Sequence, residues 1–203
     1  MIQDTVVMLN QKMKDGKRIL VEDCSSSLMD VDFGIYPYTE SFNTTTGAVC
    51  TGLGVPEEAI ETTIGVLSVT SLMRRAFLNR IQTFPSQVRK ADDPEAHESI
   101  KRILTERYEV NHEEYDFGWL DLNPVRHAHM LNQLSSLYLT GMDAFDEVEN
   151  IKICKRYKIM QPSDKEGEPP KEVEVEGIHP TIINDLETLV PIFKTLKGWK
   201  KDI

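Results

Sequence analysis

Apolar residues recur at helical spacing at the start of the chain, on Ile2, Val6, Leu9 and Met13, and Gly16 follows as a stop signal. The run Arg18-Ile-Leu-Val-Glu22 then reads as a short buried strand. Residues 23–54 are rich in Gly, Ser, Thr, Asn and Asp, which predicts long shaped loops with brief strands, of the kind that serve a site. Pro56 opens a short helix reaching Ile60. The β-branched, apolar run from Ile64 to Leu72 predicts a core strand. A helical pattern on Ile100, Ile103 and Leu104 covers 94–107. A further helix covers 124–134, with Asn123 as its N-cap and Pro124 in its first turn. Leu137 to Thr140 and Ile151 to Met160 read as strands. Residues 161–176 carry three prolines and charges of both signs, which predicts an exposed acidic loop or linker. A helix over 181–189 and a strand with a turn from Pro191 to Trp199 complete the pattern. The alternation of helices and strands predicts an α/β fold with a large share of loop.

The 203 residues suffice to bury a core without disulfide staples. Thirty-three acids against 23 Lys and Arg give a formal charge of −10, with a pI near 5.0. Nucleic acid and anionic membrane are both held by clustered cations, so neither is expected as the main partner. Two basic clusters, Lys12, Lys14, Lys17 and Arg18 at the start and Lys194, Lys197, Lys200 and Lys201 at the end, are mixed with apolar residues and read as solvated faces. No stretch approaches the roughly 20 apolar residues of a spanning helix. Met1 to Asn10 lacks the features of a secretory signal. Cys24, Cys50 and Cys154 are odd in number and far apart, which supports neither a zinc ribbon nor a disulfide framework. A reducing compartment, the cytoplasm, is the expectation.

Four patterns could carry chemistry. Gly47-Ala-Val-Cys-Thr-Gly52-Leu-Gly54 lacks the Gly-Lys-Ser/Thr end with which a P-loop holds phosphate and magnesium, and reads as a tight structural turn. Asp30-Val-Asp32 could hold a cation or act as an acid/base pair, although a loop-capping role suits it better. His127 and His129, two apart on a helix, point in different directions and do not converge on zinc; His97 and His112 lie elsewhere. Thr140-Gly-Met-Asp143 follows a strand, where a carboxylate could accept from a guanine edge or cap a turn. No Ser-His-Asp or Cys-His pairing follows from spacing, and no metal site is expected.

Taken together, longer blocks say more. Ile19-Leu-Val-Glu22, Leu28-Met-Asp-Val-Asp-Phe-Gly-Ile-Tyr-Pro-Tyr38, Asn43-Thr-Thr and Val49-Cys-Thr-Gly-Leu-Gly-Val-Pro56 resemble the adenylosuccinate synthetase family. So do Gly118-Trp-Leu-Asp-Leu122, Arg126, Ala128-His-Met130, Asn132, Thr140 with Asp143, and Leu196-Lys-Gly-Trp-Lys200. The resemblance covers most of residues 17–160 and the tail. It implies part of that P-loop-related α/β fold, with residues 1–160 as its central and C-terminal region, 161–176 as a linker, and 177–203 as a helix and strand on the same domain. The family joins IMP to aspartate through a 6-phosphoryl-IMP intermediate, using GTP and magnesium, usually as a homodimer. Its Gly-Asp-Glu-Gly-Lys-Gly-Lys loop with the Asp base, its later His acid and its last segment have no counterpart in this sequence.

The departures fall on ligand positions. Where the family has Gly-Ala-Gln, with the Gln on IMP, this chain has Asp23, Cys24 and Ser25. Where the family has a Thr on the IMP phosphate, this chain has Glu40. Like charges ~4 Å apart at an effective dielectric near 20 repel by roughly 4 kcal/mol, on the order of a thousandfold in affinity. The family's arginine-rich loop before Gly-Trp-Leu-Asp has become Glu113, Glu114, Tyr115, Asp116 and Phe117, which reverses the sign of charge offered to a phosphoryl group. In the guanine motif Thr-Lys-x-Asp, Asp143 persists but Gly141 replaces the Lys. The resemblance therefore implies vestigial nucleotide positions at Asp143, Thr140 and Asn43, degenerate IMP positions at Ser25 and Glu40, no catalytic residue and no bound cofactor. The reading is a catalytically inactive relative that serves as a structural or interaction component with other protein chains. The alternative is a ligase completed by a second, P-loop-bearing chain.

Overall fold

A computed structural model describes residues 4–22, 26–36, 39–74, 86–87, 89, 92–161, 169–177 and 189–199. The chain divides into two compact units, 1–65 with 128–136, and 66–127 with 137–203. This division cuts across the expected partition at 160 and 176. The family fold class, mixed α/β, is present as expected.

In the first unit, α1 (Thr5–Lys14) starts where the Asp4 carboxylate accepts the Val7 amide at 3.1 Å. Lys12 and Lys14 occupy its last turn, where cations complement the helix dipole. Gly47–Gly54 is not the tight turn expected but a short helix, α2 (Gly47–Leu53), closed by the Gly54 amide on the Cys50 carbonyl at 3.0 Å. Single 3₁₀ turns occupy Ser27–Met29 and, after Pro56, Glu57–Ala59. The expected buried strand at Arg18–Glu22 does not form. Residues 17–22 lie outside any strand, and Leu20 is 92% exposed. An apolar run becomes a strand only when a ladder partner satisfies its backbone, and among the described residues none reaches this run.

The expected continuous strand from Ile64 to Leu72 is two strands, β1 (Ile64–Ser68) and β2 (Ser71–Arg74). The chain breaks at Val69, whose amide donates to the Thr140 carbonyl at 3.0 Å. Val69 is buried, whereas β1 shows only partial burial on alternate residues. β1 pairs with β5 (Ser136–Thr140) as a two-stranded sheet. β2 runs antiparallel to β3 (Tyr115–Gly118), with Ser71 opposite Gly118 and Arg74 opposite Tyr115.

Helix α3 (Pro94–Tyr108) has Pro94 in its first turn and Asp93 as N-cap, accepting the Ala96 amide at 3.2 Å. It buries Ile100, Ile103 and Leu104, the residues that the sequence pattern marked, and Ala96 beside them. Helix α4 (Leu122–Asn132) begins before the expected Pro124. Asp121, not Asn123, supplies the cap: its Oδ1 accepts the Asn123 amide at 3.0 Å and the Asn123 Nδ2 at 2.9 Å.

The long strand β6 (Asn150–Gln161) organises the second sheet. One edge pairs antiparallel with β8 (Val190–Lys197), from Asn150 opposite Lys197 to Lys158 opposite Val190. The other edge takes β4 (Leu120–Asp121) in parallel and β7 (Lys171–Val175) antiparallel. β7 lies inside the segment expected to be a loop. Its alternation explains this: Val173 and Val175 are half-buried on one face, while Glu172 reaches Lys158 at 2.7 Å and Glu174 reaches Arg156 at 3.3 Å. The expected helix over 181–189 lies outside the described residues except for Leu189, which is buried.

The core of the second unit joins Val69, Ile100, Leu104, Phe117, Trp119, Phe145, Val148 and Ile151. Trp119 stacks against Phe145 with ring centroids 5.6 Å apart. The tail motif packs here too. The Gly198 amide donates to the Glu149 carbonyl at 2.7 Å, and Trp199 Nε1 donates to Asp146 Oδ1 at 3.0 Å. A Cβ on Gly198 would fall 1.9 Å from the Val148 carbonyl oxygen, so only glycine fits. Among the described residues no helix is long and apolar enough to cross a membrane.

Candidate functional site

In the first unit the candidate positions surround a buried carboxylate. Asp30, fully enclosed, accepts the amides of Asp32 at 2.9 Å, Phe33 at 3.0 Å and Thr44 at 2.6 Å. Burial pushes its carboxyl up, but these backbone donors and the Asn43 side chain more than reverse the effect and hold it below the usual range. The Gly34 amide returns to the Asp30 carbonyl at 2.9 Å, and a Cβ on Gly34 would sit 2.4 Å from that oxygen. The Asp-Phe-Gly block is therefore a loop-closing device, and Asp30 with Asp32 acts as a cap rather than a cation site. Asn43 Nδ2 donates to Asp32 Oδ2 at 2.8 Å. Glu40 is half-buried, and its amide donates to the Met29 carbonyl at 2.7 Å. Asn132 ties the loop down, accepting the Thr46 amide at 2.8 Å and donating to Ser27 Oγ at 2.8 Å. Ser25 lies outside the described residues.

Thr140 and Asp143 belong to the second unit. Thr140 ends β5, and its hydroxyl donates to the Leu67 carbonyl at 3.3 Å. Asp143 sits in a 3₁₀ turn, Met142–Phe145, entered through Gly141. Both of its carboxylate oxygens are engaged: Oδ1 accepts the Tyr108 phenol, and Oδ2 accepts Arg107 Nη1 at 2.8 Å. Partial burial pushes the Asp143 carboxyl up, but these two donors outweigh it and hold the group low. The same hydrogen bond, with burial, lifts the Tyr108 phenol to about 12. Arg107 Nη1 also stands 3.5 Å from Asp146 Oδ2. Sequence reading missed Arg107 and Tyr108. They close α3 some 35 residues before Asp143, and no local pattern announces that meeting.

The acidic run is local scaffolding. The Asn111 side chain accepts the Glu113 amide at 2.9 Å and donates to Glu114 Oε1 at 3.1 Å. Glu113 and Glu114 are exposed, and Asp116 lies in β3 opposite Met73. His127 is half-buried and His129 exposed on α4, His97 packs on Phe117, and His112 Nε2 lies 3.1 Å from the Lys101 carbonyl. Among the described residues no group of three or more His, Cys, Asp or Glu is arranged to hold a metal ion.

With this geometry in view, comparison with known proteins decides the ancestry. The family model for adenylosuccinate synthetase matches residues 1–203, the whole chain. This chain belongs to the adenylosuccinate synthetase family. Adenylosuccinate synthetase 1 of Laccaria bicolor is 33% identical over 205 residues, spanning all of this chain and 42% of that protein. The Paramecium tetraurelia adenylosuccinate synthetase is 34% identical over 209 residues, again all of this chain and 42% of the relative. The fully ligated adenylosuccinate synthetase of Plasmodium falciparum superposes with a TM-score of 0.77 at 22% identity, covering 99% of this chain and 43% of that one. The chain thus spans less than half the length of these relatives.

Adenylosuccinate synthetases use GTP and magnesium. The described residues do not fit the guanine end of that nucleotide at the candidate position, because both oxygens of Asp143 are filled by donors of the chain itself. A base edge offering a pair of N–H groups needs both carboxylate oxygens.

Proposed function

We propose that this chain is an adenylosuccinate synthetase relative that no longer performs the ligase reaction and works as a protein-binding component of a larger assembly. The observation that carries the reading is the makeup of the first unit. Its buried described residues are Asp30, Thr44, Thr45 and Asn132, all polar. None of its described apolar residues is fully buried, and Leu20 is 92% exposed, Tyr36 80% and Val7 66%. Surface of this kind usually marks an interaction face. Loss of ligand chemistry supports the same reading. Glu40 stands where the family places a phosphate-binding hydroxyl, and Glu113 and Glu114 project from the segment where the family places arginines. The partner is another polypeptide, and the reaction of the family is absent.

Isothermal titration of the chain with IMP and with GTP tests the reading. No heat is expected from either; micromolar binding of IMP would overturn it. A ligase completed in trans is the second reading, supported by the chain's membership of the adenylosuccinate synthetase family. Mixing the chain with a P-loop-bearing partner and assaying for adenylosuccinate separates the two, since product appears only under the second.

A further inference from the structure

We infer that Tyr108 is a built-in occupant of the Asp143 carboxylate, closing that position to a guanine base. The inference rests on the reading of Asp143 as a relic of the family's guanine motif, and it goes further by naming what took the ligand's place. Asp143 has two carboxylate oxygens, and each already accepts a hydrogen bond: Oδ1 from the Tyr108 phenol, Oδ2 from Arg107 at 2.8 Å. Tyr108 and Arg107 are adjacent at the end of α3, and Glu109, with a φ of 52°, turns the chain away immediately after them. Both donors are therefore delivered by one helix end. α3 is anchored by Ile100 and Leu104 in the core, which fixes the helix end that carries them.

The replacement of the motif's lysine by Gly141 fits the same arrangement. A Cβ placed on Gly141 would touch the Tyr108 Oη at 3.6 Å and Cζ at 3.8 Å. The phenol therefore lies within van der Waals reach of a side chain at 141, as does the Ser68 hydroxyl. The charged groups facing the phenol are Asp143, Arg107 and Asp146. Their net effect is to keep the phenol protonated and therefore a donor, with its ionisation lifted to about 12 by the Asp143 bond. A plug of this design is hard to displace with a neutral base. An entering guanine would exchange two internal donors for two of its own and gain little.

The full chain, its Tyr108→Ala variant and its Asp143→Asn variant provide the test, with guanosine as the probe and adenosine as the control. Ligand-observed NMR is expected to show guanosine association at least tenfold tighter for Tyr108→Ala than for the parent chain, with adenosine unchanged. Equal guanosine binding by the two proteins overturns the inference. A second measurement does not depend on the alanine variant folding. Ultraviolet titration of the parent chain is expected to show a tyrosine ionising near 12, and Asp143→Asn should return it towards the ordinary value of about 10. An unchanged tyrosine titration in Asp143→Asn also overturns it. IMP binding by the parent chain would end the proposed loss of ligand chemistry while leaving the Tyr108 contact untouched, so the two failures are distinct.

Discussion

Asp30 in the first unit and Asp121 in the second are both buried carboxylates, and their surroundings push them in opposite directions. Asp30 is enclosed by its own loop and receives three backbone amides, which hold it low against the cost of burial. Asp121 lies in β4, beside β6 in the same sheet, where burial dominates and raises it, although Tyr157 and Asn123 donate to it. Its neighbours feel the same environment: burial and the Asp121 carboxylate push the Cys154 thiol and the Tyr157 phenol up. Cys154 is consequently an inert core thiol rather than a reactive one. The contrast extends beyond the two residues. The second unit is held by apolar burial around Trp119 and Phe145, whereas the first is held by hydrogen bonds to Asp30, Thr44 and Asn132. The lesson is that one inherited fold can keep an apolar core in one part and in another keep only the polar bonds that shape a loop.

The largest effect that would sharpen this comparison is in the apolar core. Ile100→Ala is expected to cost about 2–5 kcal/mol, read as a shift in the urea midpoint, because Ile100 is fully enclosed. A cost under 1 kcal/mol would mean that the second unit does not depend on its core. Asp30→Ala should cost about 1–3 kcal/mol by stranding buried amides. Amide hydrogen exchange should speed up at Asp32, Phe33 and Thr44 while the β6 amides stay protected, and global loss of protection would erase the distinction between the units.

Acidity offers a third way to separate them. The stability from Asp30 is present above the unfolded carboxylate pKa and is lost as pH falls through its depressed folded value. Asp121 has the opposite sign: its contribution is present below the unfolded value and is lost as pH rises through its raised folded value. Site-resolved exchange across the acid range should therefore show the loop amides loosening towards low pH and the amides beside Asp121 tightening. The smallest effect belongs to the exposed run. Leu20→Ser is expected to change folding stability by less than about 0.5 kcal/mol while lowering binding of an apolar dye. A large stability loss there would show that Leu20 is part of a core rather than of a surface.

Much of the second unit was legible from sequence because its signals are local. The spacing of Ile100, Ile103 and Leu104 marks the buried face of α3, and the Leu137–Thr140 and Ile151–Met160 runs mark β5 and most of β6. The family blocks were legible too, and two of their glycines, Gly34 and Gly198, are required here by close backbone approach. What sequence could not supply were contacts between distant segments. Ile19-Leu20-Val21 has the composition of a buried strand, but pairing depends on a neighbouring backbone that composition does not encode. Lys171–Val175 is charged enough to read as loop, yet β6 offers an edge with matching lysine and arginine, so it becomes a strand. The sequence alone determined the family and the buried face of α3. Only the tertiary structure decided that Asp143 is filled by Tyr108 and Arg107, because a hydrogen bond across 35 residues is set by where two packed elements end and not by the residues around either one.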